Sequence, residues 1–249
     1  MTVRARLIVP CYNEEKRLDR AQFSGLSERI DLLFVDDGSK DGTAELLRDL
    51  SASSGGRIAM YSMPANAGKG EAVRAGLQRA IDEGSQIVGF TDADLSTPPR
   101  ELVRLLGYLD DTNVKAVIGA RVRLVGRRIE RQPVRHMLGR VFASIAGVIL
   151  QEPFYDTQCG AKYFRVSPLV RKAVEMPFRS RWAFDVELLA RLLVGVGEEH
   201  GLSAGELIEV PLEEWIDIGG SKVSVGAMGK TLLDLAEIYA EVSRLRRKR

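Results

Sequence analysis

Two carboxylates one residue apart, Asp92 and Asp94 in the stretch Ile87–Pro98 (IVGFTDADLSTP), are the residues of this chain best equipped for chemistry. The apolar run Ile87-Val88-Gly89-Phe90 ahead of them predicts a buried strand. In extended backbone, side chains two apart project to the same side, so both carboxylates would face one spot at the strand's end. Adjacent like charges repel, and the simplest relief is a divalent cation held by oxygens, Mg²⁺ or Mn²⁺. Thr97-Pro98-Pro99 reads as an N-cap followed by a proline-started helix, which puts the pair where strand gives way to helix. Taken alone, the spacing also fits a turn carrying two solvated acids, so the surroundings decide.

Two more polar turns follow apolar runs. Asp36-Asp37-Gly38-Ser39-Lys40-Asp41-Gly42-Thr43 comes after Leu32–Val35. An aspartate there can accept from a base imide or from ribose hydroxyls, the reading for Asp37, while Asp41 or Ser39 would cap the next helix. In Asn66–Gly70 the glycines let backbone approach a phosphate closely, with Lys69 as the cation. The loop lacks GxxxxGK[ST] and is not a Walker A motif. Between Arg121 and Arg140 stand seven arginines and one acid, Glu130, and apolar Val141–Leu150 follows at once. A solvated basic face would look like this, and so would a nucleic-acid surface. No aromatics are interleaved for base stacking, however, which argues against nucleic acid. Basic residues beside an apolar helix suit anionic lipid headgroups, each contributing roughly 1 kcal/mol near such a surface. The tail Arg244–Arg249, with five basic residues in six, fits the same picture.

The elements that must position these residues alternate. Strand-like Leu7–Pro10, Leu32–Val35, Ile58–Met63, Ile87–Thr91 and Val114–Ala120 are separated by helical patterns at Thr43–Leu50, at Val73/Leu77/Ala80/Ile81, and near residues 100–110. That order predicts an α/β fold with a mostly parallel sheet, whose ligands gather at the carboxyl ends of strands. Further on, Phe184–Val194 reads as a helix and Leu207–Trp215 as a strand. The chain closes on an amphipathic helix with Leu232, Leu235, Tyr239 and Val242 on one stripe. The length of 249 residues allows one large domain, 1–249, with a change of character near residue 120. Cys11 and Cys159 lack metal-like spacing, which disfavours a disulfide framework or zinc site and makes a reducing compartment the default. Only His136 and His200 are available for any histidine chemistry. No secretory leader is recognisable, and Val141–Leu150 would rise about 15 Å as a helix, half a hydrocarbon core.

VPCYNEE, VDDGSKDGT, NAGKGEAVRAG and TDADLSTPP, in this order, resemble the nucleotide-binding half of family 2 inverting glycosyltransferases of the GT-A fold. DTQCGAKYFR, RWAFDVELL and Gly220-Ser221-Lys222 are similar to the polyprenyl (dolichyl) phosphate sugar synthases, nearest the dolichyl-phosphate glucosyltransferase branch. The resemblance implies a Rossmann-like, mostly parallel sheet flanked by helices, with C-terminal amphipathic helices at a membrane surface. Residues 1–120 would bind the nucleotide sugar and 121–249 the acceptor. It further implies that Pro10, Tyr12, Glu14 and Asp37 line the nucleoside pocket with Lys69 nearby, and that Asp92 and Asp94 hold the metal on the diphosphate. Arg121 and Arg135 would contact the acceptor phosphate or diphosphate, with Ser221 and Lys222 adding to the acceptor side. Mannosyl-phosphate synthases of this type carry a glutamine where this chain has Ser96, which puts the third metal ligand in question.

The implied activity is hexose transfer, from UDP-glucose or alternatively GDP-mannose, to a polyprenyl or dolichyl phosphate by a cytoplasmic, peripherally membrane-associated enzyme. A phosphate acceptor is already ionised near neutral pH and needs cations to hold two anions close, rather than a strong base. A hydroxyl acceptor would need a base, for which Asp156 is the candidate; otherwise Asp156 caps or orients the acceptor loop. Asp185 and Glu187 would order the same site, or start a helix favourably through its dipole.

Overall fold

A computed structural model of the chain describes residues 4–130, 133–203, 205–218 and 225–247. In chain order the elements are β1 (Ala5–Cys11), α1 (Arg20–Ser27), β2 (Asp31–Asp36), α2 (Thr43–Ser53), β3 (Ile58–Ser62), α3 (Lys69–Asp82), β4 (Ile87–Phe90), α4 (Pro99–Gly107) and β5 (Ala116–Ala120). The second half adds β6 (Arg128–Glu130), α5 (Pro133–Leu150), β7 (Lys162–Arg165), α6 (Pro168–Glu175), α7 (Phe184–Val194), β8 (Gly195–Val196), β9 (Glu199–His200), β10 (Leu207–Pro211), β11 (Glu214–Ile216) and α8 (Val225–Arg247).

Seven strands form the central sheet in the order β10-β5-β7-β4-β1-β2-β3. Strands β1 and β2 read as continuous apolar runs because both faces are covered. Leu7, Val9, Leu32 and Phe34 pack with residues of α1, α2 and α4. Ile8, Leu33 and Val35 point the other way, into α3, α6 and α7. Strand β1 lies between β2 and β4 and runs parallel to both: the chain steps outward from β1 to β2 and β3, then crosses back to β4 on the other side of β1. The loops after β1 and β4 therefore diverge over one crevice, where ligands of open parallel sheets bind.

The expected alternation holds, with four differences. Strand β7 enters antiparallel between β4 and β5, at a segment whose short KYFR gives no crossover signal. The stretch read as one strand at Leu207–Trp215 breaks at Leu212-Glu213: β10 extends the main sheet beside β5, whereas β11 pairs with β6. Thr97 is not the cap of α4, because Pro98 is the N-cap residue and Pro99 opens the helix, leaving the Thr97 side chain buried. On α8, Ile238 joins Leu235 and Val242 in the core while Tyr239 faces outward; the side chain of Leu232 lies outside the described set. The buried set sits at i, i+3 and i+7, a narrower seam than the one drawn through Tyr239.

Helices α5, α7 and α8 share the third apolar cluster, which includes Ala146, Ile149, Val186, Leu189 and Ile238. Two guanidinium nitrogens of Arg246 close the end of α5 by donating to the carbonyls of Ile149 (3.2 Å) and Leu150 (2.8 Å), groups that no helical N–H can satisfy.

The close seating of α3 on the sheet depends on Gly76, where an added Cβ would lie 2.6 Å from Ile8 Cγ2 and 2.9 Å from Val35 Cγ2. Gly76→Ala is expected to destabilise the protein by about 1–3 kcal/mol, since neither β-branched neighbour can withdraw. Urea unfolding monitored by circular dichroism measures it, and an unchanged midpoint would refute this packing.

Candidate active site

The site forms at the carboxyl edge of β1, β2, β4 and β5. Just past β1, Asn13 adopts a left-handed conformation (φ 53°), accepts a hydrogen bond at Oδ1 from Lys40 N (2.8 Å) and donates its own N–H to Ser39 Oγ (3.0 Å). Glu14 N–H donates to Thr43 Oγ1 (2.8 Å), and Glu15 Oε2 accepts from Gly42 N (3.0 Å). These bonds lock the turns after β1 and β2 into one wall, with half-buried Pro10 and Tyr12 on it. Both carboxylate oxygens of Glu14 are engaged by Arg17, at 2.6 and 2.8 Å.

Asp37 is held from several sides. Its carboxylate accepts from Asn66 Nδ2 (2.9 Å), Ala67 N (2.7 Å) and Gly68 N (2.9 Å), and the residue is 2 % exposed. Burial raises its carboxyl and these donors oppose the rise, leaving it above the ordinary aspartate range. Beside the direct role expected toward a base or ribose, Asp37 has a scaffolding one: it shapes the loop that leads into Lys69. Neither Asp41 nor Ser39 is the cap of α2, whose N-cap is Gly42, but Asp41 still serves structure by accepting from Thr43 N at 3.1 Å.

Lys69 opens α3 and forms an ion pair with Asp92. Read from the sequence as a cation for phosphate near the nucleoside pocket, it stands in the fold against the acid pair. Burial would raise the Asp92 carboxyl, but Lys69, Arg121 and Lys162 together hold it below the usual range. Asp94 goes the other way, raised by burial and by the charge of Asp92, even though Ser96 N donates to its Oδ1 at 3.0 Å. Ser96 thus spends itself on Asp94 rather than widening the donor set. Among the described residues no group of three or more His, Cys, Asp or Glu side chains converges. Two hard oxygen donors under mutual repulsion fit a Mg²⁺- or Mn²⁺-type ion that takes its remaining ligands from substrate phosphates. A side chain at Gly160 would collide with the Asp92 carboxylate, which explains the glycine.

Across the crevice, Arg121 follows β5 and meets Asp156 side-on, Nε to Oδ2 at 2.5 Å and Nη2 to Oδ1 at 2.8 Å. Its backbone N–H donates to Oδ2 as well (3.2 Å), and its guanidinium lies 5.2 Å from the Trp215 ring centroid. The loop is pinned from β10, where Glu209 accepts from Tyr155 N (2.8 Å) and Asp156 N (2.6 Å). Of the two roles weighed for Asp156, general base or orienting group, its geometry favours the second, since both oxygens accept from Arg121. Glu209 was invisible in the sequence because only the sheet order brings it beside residue 156.

The basic run divides. Arg127 pairs with Glu213, Arg128 with Glu130 and Glu214, and Arg140 donates to the Tyr155 carbonyl (3.0 Å) while lying over the Tyr155 ring. Arg135 belongs to α5, but its side chain lies outside the described residues, as do Ser221 and Lys222.

Sequence reasoning also missed Lys162. This fully buried cation on β7 donates to Asp185 Oδ1 (2.6 Å) and to the Cys159 carbonyl, and sits 5.2 Å from the Phe90 ring centroid. Asp185 therefore holds a buried partner, while Glu187 pairs with Arg191 at 2.6 Å and accepts from Arg179 N at 2.9 Å. A lysine within an apolar strand pattern was the available signal.

Comparison with known proteins adds the following. The family described as "Glycosyl transferase family 2" matches residues 7–171. The chain is 32% identical over 251 residues to dolichyl-phosphate beta-glucosyltransferase ALG5C of Trichomonas vaginalis, covering 93% of this chain and 69% of that protein. It is 31% identical to the human dolichyl-phosphate beta-glucosyltransferase (93% and 74% covered) and 27% identical to the polyprenol monophosphomannose synthase of Mycolicibacterium smegmatis (95% and 87%). Among solved structures, the mannosyltransferase PcManGT from Pyrobaculum calidifontis in complex with GDP-Man and Mn²⁺ superposes with a TM-score of 0.57 at 18% identity. That match covers 97% of this chain and 64% of that one, so the chain spans less than two thirds of PcManGT, and the likeness establishes the fold.

Replacing Lys162 by Met would strand the Asp185 charge in the interior and is expected to cost about 3–5 kcal/mol, with Lys162→Met/Asp185→Leu recovering much of it. Denaturant unfolding of the single and double variants measures this; a double variant no more stable than the single would refute the pairing.

Proposed function

The chain belongs to glycosyl transferase family 2, and from that premise we propose that it transfers glucose from UDP-glucose to dolichyl or another polyprenyl phosphate, inverting the anomeric centre. The observation that carries this reading is the meeting of two opposed charge groups at one sheet edge. Asp92 and Asp94 stand with Lys69 on one side, and Arg121 is held bidentately by Asp156 on the other. The relatives named dolichyl-phosphate beta-glucosyltransferase support glucose as the sugar and a lipid phosphate as the acceptor. The mannose synthase keeps GDP-mannose as the alternative donor.

In this reading residues 1–120 handle the donor and 121–249 the acceptor. Pro10, Tyr12 and Glu14 form the wall of the nucleoside pocket, and Asp37 holds its loop. Asp92 and Asp94 would hold a divalent ion of the Mg²⁺ or Mn²⁺ type, which when bound would supply positive charge to the diphosphate. Lys69 stays protonated, because Asp92 and Asp185 outweigh its burial, and adds a second positive charge there. Arg121 presents a guanidinium whose direction Asp156 fixes, so that the acceptor phosphate arrives against a prepaid charge. Arg135, Ser221 and Lys222 complete that side. A phosphate oxygen attacks the anomeric carbon in line as the carbon–oxygen bond to the diphosphate breaks. Both the attacking and the departing groups are anions, so no proton has to move and no general base is required.

Peripheral attachment at the cytoplasmic membrane face belongs to the same reading. No helix among the described residues is long and apolar enough to cross a membrane. Val141 and Val148 lie two turns apart on one side of α5, 57% and 70% exposed, and the basic tail begins at Arg244.

Transfer of radiolabelled sugar from UDP-glucose and GDP-mannose to a polyprenyl phosphate tests the proposal. A lipid-extractable product is expected, and none with either donor would refute it. Asp94→Asn should lower turnover by roughly 10²-fold or more with the fold intact, and chelator should do the same. Asp156→Asn keeps one acceptor oxygen for Arg121 and should retain measurable transfer, about a tenth of normal. Loss to background would instead assign Asp156 to base chemistry.

A further inference from the structure

We infer that Arg181, on the loop between α6 and α7, binds a phosphate of the donor nucleoside diphosphate, and that α8 sets its position; this names a residue within the site proposed above and rests on that reading. The loop is gripped from α8 at two points two turns apart. Arg179 Nε donates to Glu241 Oε2 (2.5 Å), and the buried Ser180 hydroxyl donates to Asp234 Oδ2 (2.5 Å). The same Ser180 oxygen accepts from Trp182 N (3.2 Å) and Ala183 N (2.8 Å), so the backbone on both sides of Arg181 is held.

From that mount the Arg181 side chain reaches across to the donor loop. A Cβ at Gly68, itself at φ 98°, would lie 3.1 Å from both Arg181 Cγ and Cδ, so the arginine stem rests flat on the glycine. Beyond the stem, Nη2 makes one long hydrogen bond to the Asn66 carbonyl, at 3.5 Å. The nearby Asp37 carboxylate feels the Arg181 charge but already accepts from three donors of residues 66–68, and among the described residues the guanidinium forms no ion pair. An exposed cation is thereby fixed at its base and open at its fork, directly before Lys69, which faces Asp92. A planar fork of N–H donors is the geometry that grips phosphate oxygens, and a stem locked in advance loses little entropy on binding. Gly68 and Arg181 explain each other: any side chain at 68 would displace the arginine.

The alternative is that Arg181 merely covers Gly68, in which case only its stem matters. Arg181→Gln keeps part of the stem and removes the fork. Titration calorimetry on the full chain with UDP and GDP, and with uridine and guanosine as phosphate-free controls, separates the two at fixed Mg²⁺. Arg181→Gln is expected to weaken the preferred diphosphate roughly tenfold and leave its nucleoside unchanged. Asp234→Ala/Glu241→Ala should weaken the diphosphate severalfold, and adding Arg181→Gln to it should cost less than Arg181→Gln costs in the parent. Diphosphate affinity unchanged in Arg181→Gln overturns the inference, as does an equal loss for diphosphate and nucleoside. Wild-type protein that binds neither UDP nor GDP overturns it together with the functional reading, whereas normal nucleotide binding and sugar transfer in Arg181→Gln overturns the inference alone.

Discussion

Like charges crowded at a strand end, and the cations recruited to hold them there, are the constraint from which the rest of this molecule follows. Asp92 and Asp94 cannot both ionise cheaply in a half-buried crevice unless positive charge is close. Lys69 comes from the start of α3, Lys162 from an inserted antiparallel strand and Arg121 from the end of β5, and all three lower the cost for Asp92. Two of these cations in turn have an acid of their own, Asp185 for Lys162 and Asp156 for Arg121, while Lys69 pairs with Asp92 directly. The result is an alternating array in which every charge is oriented by the next. Asp94 is left as the carboxylate with the least compensation, which is where an incoming divalent ion gains most.

That array accounts for features of the fold with no other evident purpose. A parallel sheet has no need of an antiparallel strand in its middle, yet β7 puts Lys162 beneath the acid pair, and the turn before it supplies Gly160 against Asp92. The extension of the sheet by β10 carries Glu209 to the loop that holds Asp156. Structure is thus spent on orientation: groups in place before substrate arrives need no reorganisation during the reaction. It also clarifies the basic segment after β5, where Arg127, Arg128 and Arg140 tie down the loop and Arg121 faces the crevice.

The helical layer at the far end connects to the same site. Helices α5, α7 and α8 share an apolar core, and α8 reaches through Asp234 and Glu241 to the loop bearing Arg181. The loop before α7 is thus tied to α8 by side chains more than fifty positions apart, and through Arg181 it touches the loop at Asn66–Gly68. Whatever α8 rests against can bear on the loop beside Gly68.

Local pattern sufficed for much of this. Buried strands written as continuous apolar runs, glycines where a chain must turn or let another approach, and acids and lysines clustered at strand ends identified the sheet, the crevice and the family. These signals are legible because backbone geometry acts over a few residues. Partnership was not legible. Nothing local to Asp37 shows that the loop at 66–68 donates to it, and nothing local to Asp156 shows that Arg121 reaches both its oxygens. Lys162 passes for an ordinary strand residue until Asp185 arrives from another element. A carboxylate's role depends on which donors reach it first, and those donors come from distant positions through strand order and helix packing. The residue types able to do the chemistry were set by the sequence alone; which of them were left free to do it was decided in three dimensions, because burial makes an unpaired charge too costly to leave in place.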